Sequence, residues 1–299
     1  MTATTPVWKL HDQFVVTESV EGSDVPVSYR LVPTFDALYA PVGLRVPDVA
    51  GPVPLVVLAY GNGGGGLDWV QDAVQNRGWV MERILERGWA CAWIDVRTEV
   101  DLGYERGGPL TRDWRSGGEL FNRGALDHED WIATIQALRE LPEIDEDRVA
   151  LVGISHGGEM ILKLAGEYDG VAVAVAAEPA SHEFLAIRRD RSTTVEQLET
   201  TDVDSVLAHV DRDVAAERIA RIDLPILVMG RDDDPLQGVF RATHQLLDEA
   251  GRDVQWTTWD HPLHGYVAPL RGDDGEYEVD DVQRAAIDQM LAYVAARLA

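Results

Sequence analysis

The sequence has little positive charge and almost no lysine. Lys9 and Lys163 are the only lysines. The sequence has 52 acidic and 26 basic residues, which gives a formal net charge of −26. This excess of negative charge argues against a nucleic-acid backbone or an anionic membrane as a partner. Two interpretations of the acidic surface stay open: a genome that prefers arginine codons, and adaptation to high salt.

Cysteine and long apolar runs are also scarce. Cys91 is the only cysteine, which excludes an internal disulfide and a cysteine-rich metal site. It lies in the apolar segment 90–94, where we expect a buried structural thiol. No apolar run approaches the ~20 residues of a membrane helix. Residues 1–6 lack the basic start and apolar core of a signal peptide, so we expect a cytoplasmic protein.

Strand-like and helix-like segments alternate along most of the 299 residues. Residues 1–50 contain two short strand patterns, which predict an antiparallel start to a sheet. Residues 54–60 form an apolar run that is typical of a strand covered on both faces. The later alternation predicts a mainly parallel, doubly wound sheet, whose ligands bind at the carboxyl ends of the strands. We therefore predict a single α/β domain over residues 1–299.

Two segments interrupt the alternation. Residues 98–126 form a long polar stretch that contains Tyr104 and Trp114. Residues 179–222 contain short helical patterns and predict a small helical cap. Both segments follow the carboxyl ends of predicted strands, where loops commonly bind ligands. Tyr104 and Trp114 are therefore candidate substrate-binding residues.

The segment Gly-Ile-Ser-His-Gly-Gly at residues 153–158 carries the clearest chemical signal. An apolar strand precedes it and a helical pattern follows it. Glycines on both sides of Ser155 permit a sharp strand-to-helix turn that exposes the hydroxyl at the sheet edge. A bare Gly-x-Ser-x-Gly arises often by chance, so the flanking strand and helix are what favour Ser155 as a nucleophile.

A serine becomes a good nucleophile when an imidazole removes its proton and a carboxylate orients the imidazole. After successive later strands, residues 230–235 supply three aspartates and residues 260–266 supply His261 and His264. This order of serine, acid and histidine suits a strand–turn–helix nucleophile. His264 precedes a glycine and is the more mobile of the two histidines. Their His-x-x-His spacing suggests metal binding, but no third ligand is evident, so we expect no metal and no cofactor.

The glycine run at residues 61–66 has two interpretations. A phosphate loop would need a following Lys-Ser or Lys-Thr, which is lacking, although Asp95 at the end of the next strand keeps a dinucleotide site open. The favoured interpretation is an oxyanion hole, because the loop presents backbone amides close to the serine. Tyr60, before this loop, and Glu178, just after the strand 171–177, are further candidate substrate-binding residues.

Together these motifs resemble the α/β-hydrolase fold, and within it the prolyl-oligopeptidase and dienelactone-hydrolase-like serine hydrolases. The resemblance covers residues 54–299 and rests on segments 59–64, 94–97, 144–149, 153–158, 230–233 and 264–266. It implies Asp233 as the acid and His264 as the base. It also implies an oxyanion hole built from the His156 amide with Asn62 or Gly63.

The chain departs from the resemblance in three places. The residues before position 54 are too few for the propeller that prolyl peptidases often carry. The Asp-x-Arg segment at 95–97 continues into Thr98 instead of glycine. Asn62 stands where a tyrosine sometimes assists the oxyanion.

We therefore predict a hydrolase of small-molecule carboxylic esters that works through Ser155, His264 and Asp233 and an acyl-enzyme. One alternative is a peptidase or carbon–carbon bond hydrolase that uses the same triad, with Glu178 as a substrate-binding or alternative acidic group. A non-catalytic ligand-binding protein on the same fold is the other. The oligomeric state stays open, a homo-oligomer included.

Overall fold

A computed structural model describes residues 15–35, 39–61, 66–95, 123–188 and 199–299 of the chain, with side chains of the third helix from residue 128 onward. In chain order the elements are β1 (Val15–Glu18), β2 (Val27–Pro33), β3 (Tyr39–Arg45), β4 (Val53–Ala59), α1 (Leu67–Asn76), α2 (Trp79–Leu85), β5 (Ala90–Ile94), α3 (Arg123–Arg139), β6 (Ile144–Ile154), α4 (His156–Ala165), β7 (Val173–Ala177), α5 (Val203–Leu207), α6 (Arg212–Ile219), β8 (Ile226–Arg231), α7 (Gln237–Glu249), β9 (Val254–Trp259) and α8 (Asp281–Leu298).

The chain divides into two compact units. The first holds the described residues of Met1–Leu55 and Asn62–Asp145, and the second holds Val56–Gly61 and Glu146–Ala299. We predicted a single domain over residues 1–299 from the length and the regular alternation, and that boundary stays a prediction.

The first unit contains the antiparallel strands that the sequence predicts. β1, β2, β3 and β5 are neighbours in that order, and each adjacent pair is antiparallel. The Trp93 ring is fully buried in β5 and packs edge-on against Trp69, with 6.0 Å between ring centroids. Arg45 is buried as well, and Glu82 neutralises it at 2.5 Å. Burial raises the pKa of the Cys91 thiol, which suits the expected structural role.

The second unit holds the parallel part of the fold. Its strands are neighbours in the order β4, β6, β7, β8, β9, and the pairs from β6 to β9 are parallel. β4 and β7 are buried along their whole length, as continuous apolar runs predict. Because parallel strands end at the same edge, the residues that follow β6, β7, β8 and β9 converge there. The predicted fold class, a mainly parallel α/β sheet with an antiparallel start, is confirmed.

The predicted cap segment at 179–222 is described except for residues 189–198. It contains the short helices α5 and α6 and a bridge between Ile187 and Val210. The N-cap of each helix is an aspartate whose carboxylate accepts a backbone N–H, as capping preferences predict. Its role over the site stays a prediction.

Within the described part of the chain, no helix combines the length and the apolar character needed to cross a membrane.

Candidate active site

Ser155 occupies a strained turn between β6 and α4. Its backbone has φ 60° and ψ −120°, a conformation that residues other than glycine rarely adopt. The Ser155 N–H donates to the Ala177 carbonyl at 3.0 Å, and the Ser155 carbonyl accepts from the Ala180 N–H at 3.0 Å. The end of β7 and the residues after it therefore hold the strained residue in place. Strain maintained in this way is common at functional positions.

The glycines of this turn are required by close packing of the backbone. A Cβ atom on Gly153 would lie 2.2 Å from the Gly157 carbonyl oxygen, and one on Gly157 would lie 2.6 Å from the Ala59 carbonyl oxygen. Separations below 3 Å are repulsive, so neither position admits a side chain without a shift of backbone. The strand–turn–helix geometry on which the sequence argument depended is therefore present.

The first amide of α4 faces the end of β4. A Cβ atom on Gly61 would lie 2.8 Å from the His156 backbone nitrogen and 3.1 Å from Ser155 Cβ. The first N–H groups of a helix lack intrahelical acceptors, and the helix dipole favours negative charge beside them. The predicted oxyanion donor His156 thus lies next to the serine. Asn62 and Gly63, the other predicted donors, lie outside the described residues, as do Tyr104 and Trp114.

Glu159 ties α4 to the segment after β7. Its Oε1 accepts the backbone N–H groups of Glu183 and Phe184 at 2.6 and 2.8 Å, and its Oε2 lies 3.6 Å from His156 Nδ1. Burial favours the neutral acid, but the hydrogen bond from His156 and the Lys163 charge outweigh burial and lower the pKa of Glu159. The carboxylate is therefore charged and anchors the start of the predicted cap segment.

His264 faces two buried carboxylates. Its Nδ1 lies 3.2 Å from Glu178 Oε1 and 3.4 Å from Asp234 Oδ2. Glu178 directly follows β7 with φ 47°, and Asp234 follows β8. Both carboxylates contact Nδ1. The other ring nitrogen of His264, Nε2, is therefore the one that can exchange a proton with a ligand. The His264 side chain is 35% exposed.

The two carboxylates are held by further donors. Glu178 Oε2 accepts the Gly265 N–H at 2.7 Å, and Asp234 Oδ1 accepts the Leu236 N–H at 2.7 Å. Arg231 donates from Nε to Glu178 Oε1 at 3.1 Å and to Asp234 Oδ2 at 3.0 Å, and from Nη2 to Asp234 Oδ2 at 2.5 Å. Burial alone would raise the pKa of Asp234, but the bonds from His264, Leu236 and Arg231 lower it. This carboxylate is therefore ionised in the neutral pH range.

The environment of His264 favours its protonated form. Burial works against the charge, but the hydrogen bonds and negative charges of Asp234 and Glu178 outweigh burial and raise the pKa of His264 to about 9. An imidazole paired in this way accepts a proton readily, because the carboxylates stabilise the resulting cation.

His261, the other histidine of the loop, is 4% exposed and fully engaged. Its Nδ1 accepts the Leu263 N–H at 3.1 Å, and its Nε2 lies 3.1 Å from Asp280 Oδ2. Asp280 is also the N-cap of α8. Both ring nitrogens are thus used to fix the loop against the helix, which leaves His264 as the candidate base.

The three aspartates after β8 have three different environments. Asp232 accepts from the Thr258 hydroxyl at 2.7 Å, Asp233 is exposed with φ 60°, and Asp234 is buried beside His264. Among the contacts of the described residues, Asp233 has none with His264. The described geometry thus brings Asp234, and not the predicted Asp233, next to His264, because the turn at Asp233 leaves that side chain exposed and the next one buried. Glu178, considered from sequence as a substrate-binding or alternative acidic group, is the second partner of His264.

Tyr60 lies beside both the serine and the histidine parts of the site. Its hydroxyl lies 3.5 Å from the His264 carbonyl, and a Cβ atom on Gly265 would lie 2.2 Å from that hydroxyl. Its neighbour Gly61 packs against the Ser155 turn. In the described residues no direct hydrogen bond joins the Ser155 hydroxyl to His264. Catalytic hydrogen bonds are often long in a free enzyme and tighten when substrate binds.

The ligand atoms of Glu178, Asp234 and His264 lie within 4.8 Å of one another, close enough to hold a metal ion. The guanidinium of Arg231 already contacts both carboxylates and would repel a second cation there. We therefore interpret this group as an ion-pair network.

Comparisons with known proteins identify the family and the fold of the chain. The model of the prolyl oligopeptidase family of peptidases matches residues 76–272, more than half of the chain. The chain therefore belongs to the prolyl oligopeptidase family, as the sequence resemblance predicted. No curated protein sequence is significantly similar to it.

Solved structures match the fold at low sequence identity. An acylaminoacyl peptidase from Pyrococcus horikoshii is 16% identical with a TM-score of 0.63, and the match covers 98% of this chain and 44% of the peptidase. An esterase from Pyrobaculum calidifontis is 16% identical with a TM-score of 0.61, covering 94% of this chain and 86% of the esterase. An esterase from Rhizomucor miehei is 15% identical with a TM-score of 0.60, covering 95% and 84%.

The chain thus spans less than half the length of the similar acylaminoacyl peptidase. Its fold is the α/β-hydrolase fold.

Proposed function

We propose that this protein is a serine hydrolase that cleaves small-molecule carboxylic esters through an acyl-enzyme on Ser155. The observation that carries the proposal is the strained Ser155 turn together with an imidazole, His264, that is paired to buried carboxylates at the same edge of the parallel strands. A nucleophile, a base and an orienting acid are the parts that acyl transfer needs.

In the proposed reaction, the Ser155 hydroxyl attacks the ester carbonyl while His264 Nε2 takes its proton. The alcohol leaves with that proton, and a water molecule attacks the acyl-enzyme with His264 as base again. Asp234 and Glu178 fix the Nδ1–H tautomer and stabilise the imidazolium. Asp234 replaces Asp233 as the acid, since it is the buried aspartate within hydrogen-bonding distance of His264.

The negative charge on the carbonyl oxygen needs hydrogen-bond donors. The His156 N–H is well placed for this role, because it opens α4 directly after the nucleophile and faces Gly61. We assign the second donor to the Asn62–Gly63 segment that follows. Removing one such donor typically costs about 10²–10³ in rate.

A peptidase is the second candidate function, because the matching family model is one of peptidases and an acylaminoacyl peptidase is among the similar structures. We favour the ester because two of the similar structures are esterases that the chain matches over most of their length. The same serine, histidine and acid would serve both reactions, so the residues alone do not separate them.

The test compares p-nitrophenyl esters of graded acyl length with p-nitroanilides and N-acyl peptides of the same acyl groups. We expect ester hydrolysis that the Ser155→Ala variant loses by about 10⁴-fold or more, since the nucleophile acts as a unit with its base. A kcat/KM on an anilide or peptide within tenfold of that on the matched ester would establish the peptidase instead. Undiminished hydrolysis by Ser155→Ala would reject Ser155 as the nucleophile.

A further inference from the structure

Arg231 and His264 contact the same two carboxylate oxygens. Glu178 Oε1 lies 3.1 Å from Arg231 Nε and 3.2 Å from His264 Nδ1. Asp234 Oδ2 lies 3.0 Å from Arg231 Nε and 3.4 Å from His264 Nδ1. The two oxygens therefore form one acceptor site that is shared by a permanent cation and by the imidazole. A base that works with a single carboxylate would not need this arrangement.

The charges of Glu178, Asp234, Arg231 and His264 sum to zero only when His264 is protonated. Glu178 is fully buried and Asp234 is 2% exposed, so each carboxylate needs a partner to stay ionised. With Arg231 present, the group is neutral when His264 is protonated and carries one negative charge when His264 is neutral. Without Arg231, two buried negative charges would remain beside the imidazole, and its proton would be held much more strongly.

Arg231 also holds the loop that carries His264. Its Nη1 donates to the carbonyls of His261 and Pro262 at 3.1 and 3.4 Å. On the other side of His264, the Gly265 N–H donates to Glu178. The backbone is thus tied to the Arg231–Glu178 pair before and after the histidine, which fixes where the ring lies.

We propose that Arg231 is a positioning residue that allows two carboxylates to serve one imidazole: it fixes the loop of His264 and offsets the second negative charge, so that His264 can release the proton it takes from the nucleophile. The inference rests on the proposed function, because only a working base has to give its proton back. It makes Glu178 the second orienting carboxylate of the site.

Other titratable groups lie in the loops that carry His264 and its two carboxylates, and they act on the pKa of His264 together with Arg231. Asp232 and Asp233 lie with Asp234 in the loop after β8. Asp260 and His261 lie with His264 in the loop after β9, and Asp280 contacts that loop through His261. Tyr266 follows His264 in the same loop, and its pKa is raised by burial and by the charges of Glu178 and Asp232. The Tyr60 hydroxyl after β4 lies 3.5 Å from the His264 carbonyl. None of these is a second cation paired to both Glu178 and Asp234 among the described residues.

The test measures the pKa of His264 directly, by NMR of its imidazole in a Ser155→Ala background. We expect Arg231→Gln to raise this pKa by about one unit and Glu178→Gln to lower it by about one unit. The double variant should lie above Glu178→Gln alone, since Asp234 then lacks its cation. Arg212→Gln, which removes an exposed ion pair with Glu249 in the same unit, should leave the pKa unchanged.

With Ser155 intact, the pH profile of ester kcat/KM gives the second readout. Arg231→Gln should move the rising limb to higher pH, with about a tenfold loss below the limb that is recovered above it. Arg231→Lys keeps the charge, so its limb should stay near that of the parent while kcat falls. A purely structural role would lower the rate equally at every pH.

An unchanged or lowered His264 pKa in Arg231→Gln overturns the proposal. If that single variant does not fold, the comparison of the double variant with Glu178→Gln decides, and equal pKa values overturn it. Failure of the proposed function is distinguishable: a parent protein that hydrolyses no ester refutes the function, while the NMR titration still reports on Arg231.

Discussion

The serine side and the histidine side of the candidate site are built by different means. On the serine side, backbone sterics decide the structure: Gly153 and Gly157 leave no room for a Cβ atom, and the Ser155 turn follows. On the histidine side, buried charges decide it: two carboxylates, both bound by Arg231, face one ring nitrogen of His264. Backbone sterics give an all-or-none geometry, whereas a charge network can be adjusted in steps.

The greatest loss that we expect comes from a substitution that tests whether backbone sterics fix the Ser155 turn. Gly153→Ala would place a methyl group 2.2 Å from the Gly157 carbonyl oxygen and 2.4 Å from Ile161 Cδ1. We expect a loss of at least about 3 kcal/mol in the free energy of unfolding, because backbone has to move to accept it. Urea denaturation measures this.

Gly166→Ala is the matched control for that substitution. Its added methyl group would meet neighbours at 3.4 Å, an ordinary van der Waals contact, at the end of α4, the helix that the Gly153 methyl group would meet. It should change the free energy of unfolding by less than about 1 kcal/mol. Equal urea midpoints for the two variants would contradict the steric account of the turn.

The next effect tests which carboxylates serve His264. Asp234→Asn removes a charge that contacts the ring, so we expect kcat/KM on an ester to fall by about 10²-fold, less than for a lone triad acid because Glu178 remains. Asp233→Asn changes an exposed side chain and should stay within about twofold. Steady-state kinetics on one ester decides this, and the reverse ranking would restore Asp233 as the acid.

The sequence predicts the serine side well because its signals are local. A glycine two residues before and after a serine, a strand before and a helix after define the turn without reference to distant residues. The parallel sheet is also predicted from local signals, the alternating strand and helix patterns, and the observed strand order confirms it.

The histidine side is harder to predict, because its contacts join residues that are distant in sequence. Asp232, Asp233 and Asp234 are chemically identical, and only the positive φ at Asp233 decides which one points inward. Glu178 turns toward His264, 86 positions away in the chain, again with a positive φ. The one local signal for Asp234 is the proline that follows it, since the residue before a proline is restricted in its backbone conformation.

A smaller effect concerns the attachment of the predicted cap segment to the serine helix. Glu159→Ala would leave the Glu183 and Phe184 N–H groups without their acceptor, and we expect a loss of about 2 kcal/mol in the free energy of unfolding. Glu159→Gln keeps an acceptor oxygen and should lose clearly less. Thermal unfolding of both variants tests this, and equal losses would show that the acceptor is not what matters.

A further effect is the pH dependence of stability. The folded pKa of His264, about 9, lies above the ordinary value of about 6.5 for a histidine side chain, so its pairing stabilises the fold fully below pH 6.5 and is lost as the pH rises through about 9. We expect the free energy of unfolding to decrease over this window. His264→Gln should remove that part of the slope in urea titrations at several pH values, whereas an unchanged slope would contradict the assigned pairing.

The rate at which a fluorophosphonate labels Ser155, followed by mass spectrometry as a function of pH, decides whether Ser155 and His264 act as nucleophile and base. We expect a single adduct on Ser155, a labelling rate that rises with pH through about 9, and a loss of that rate in His264→Ala. Labelling of a different residue, or undiminished labelling of Ser155 in His264→Ala at all pH values, would contradict it.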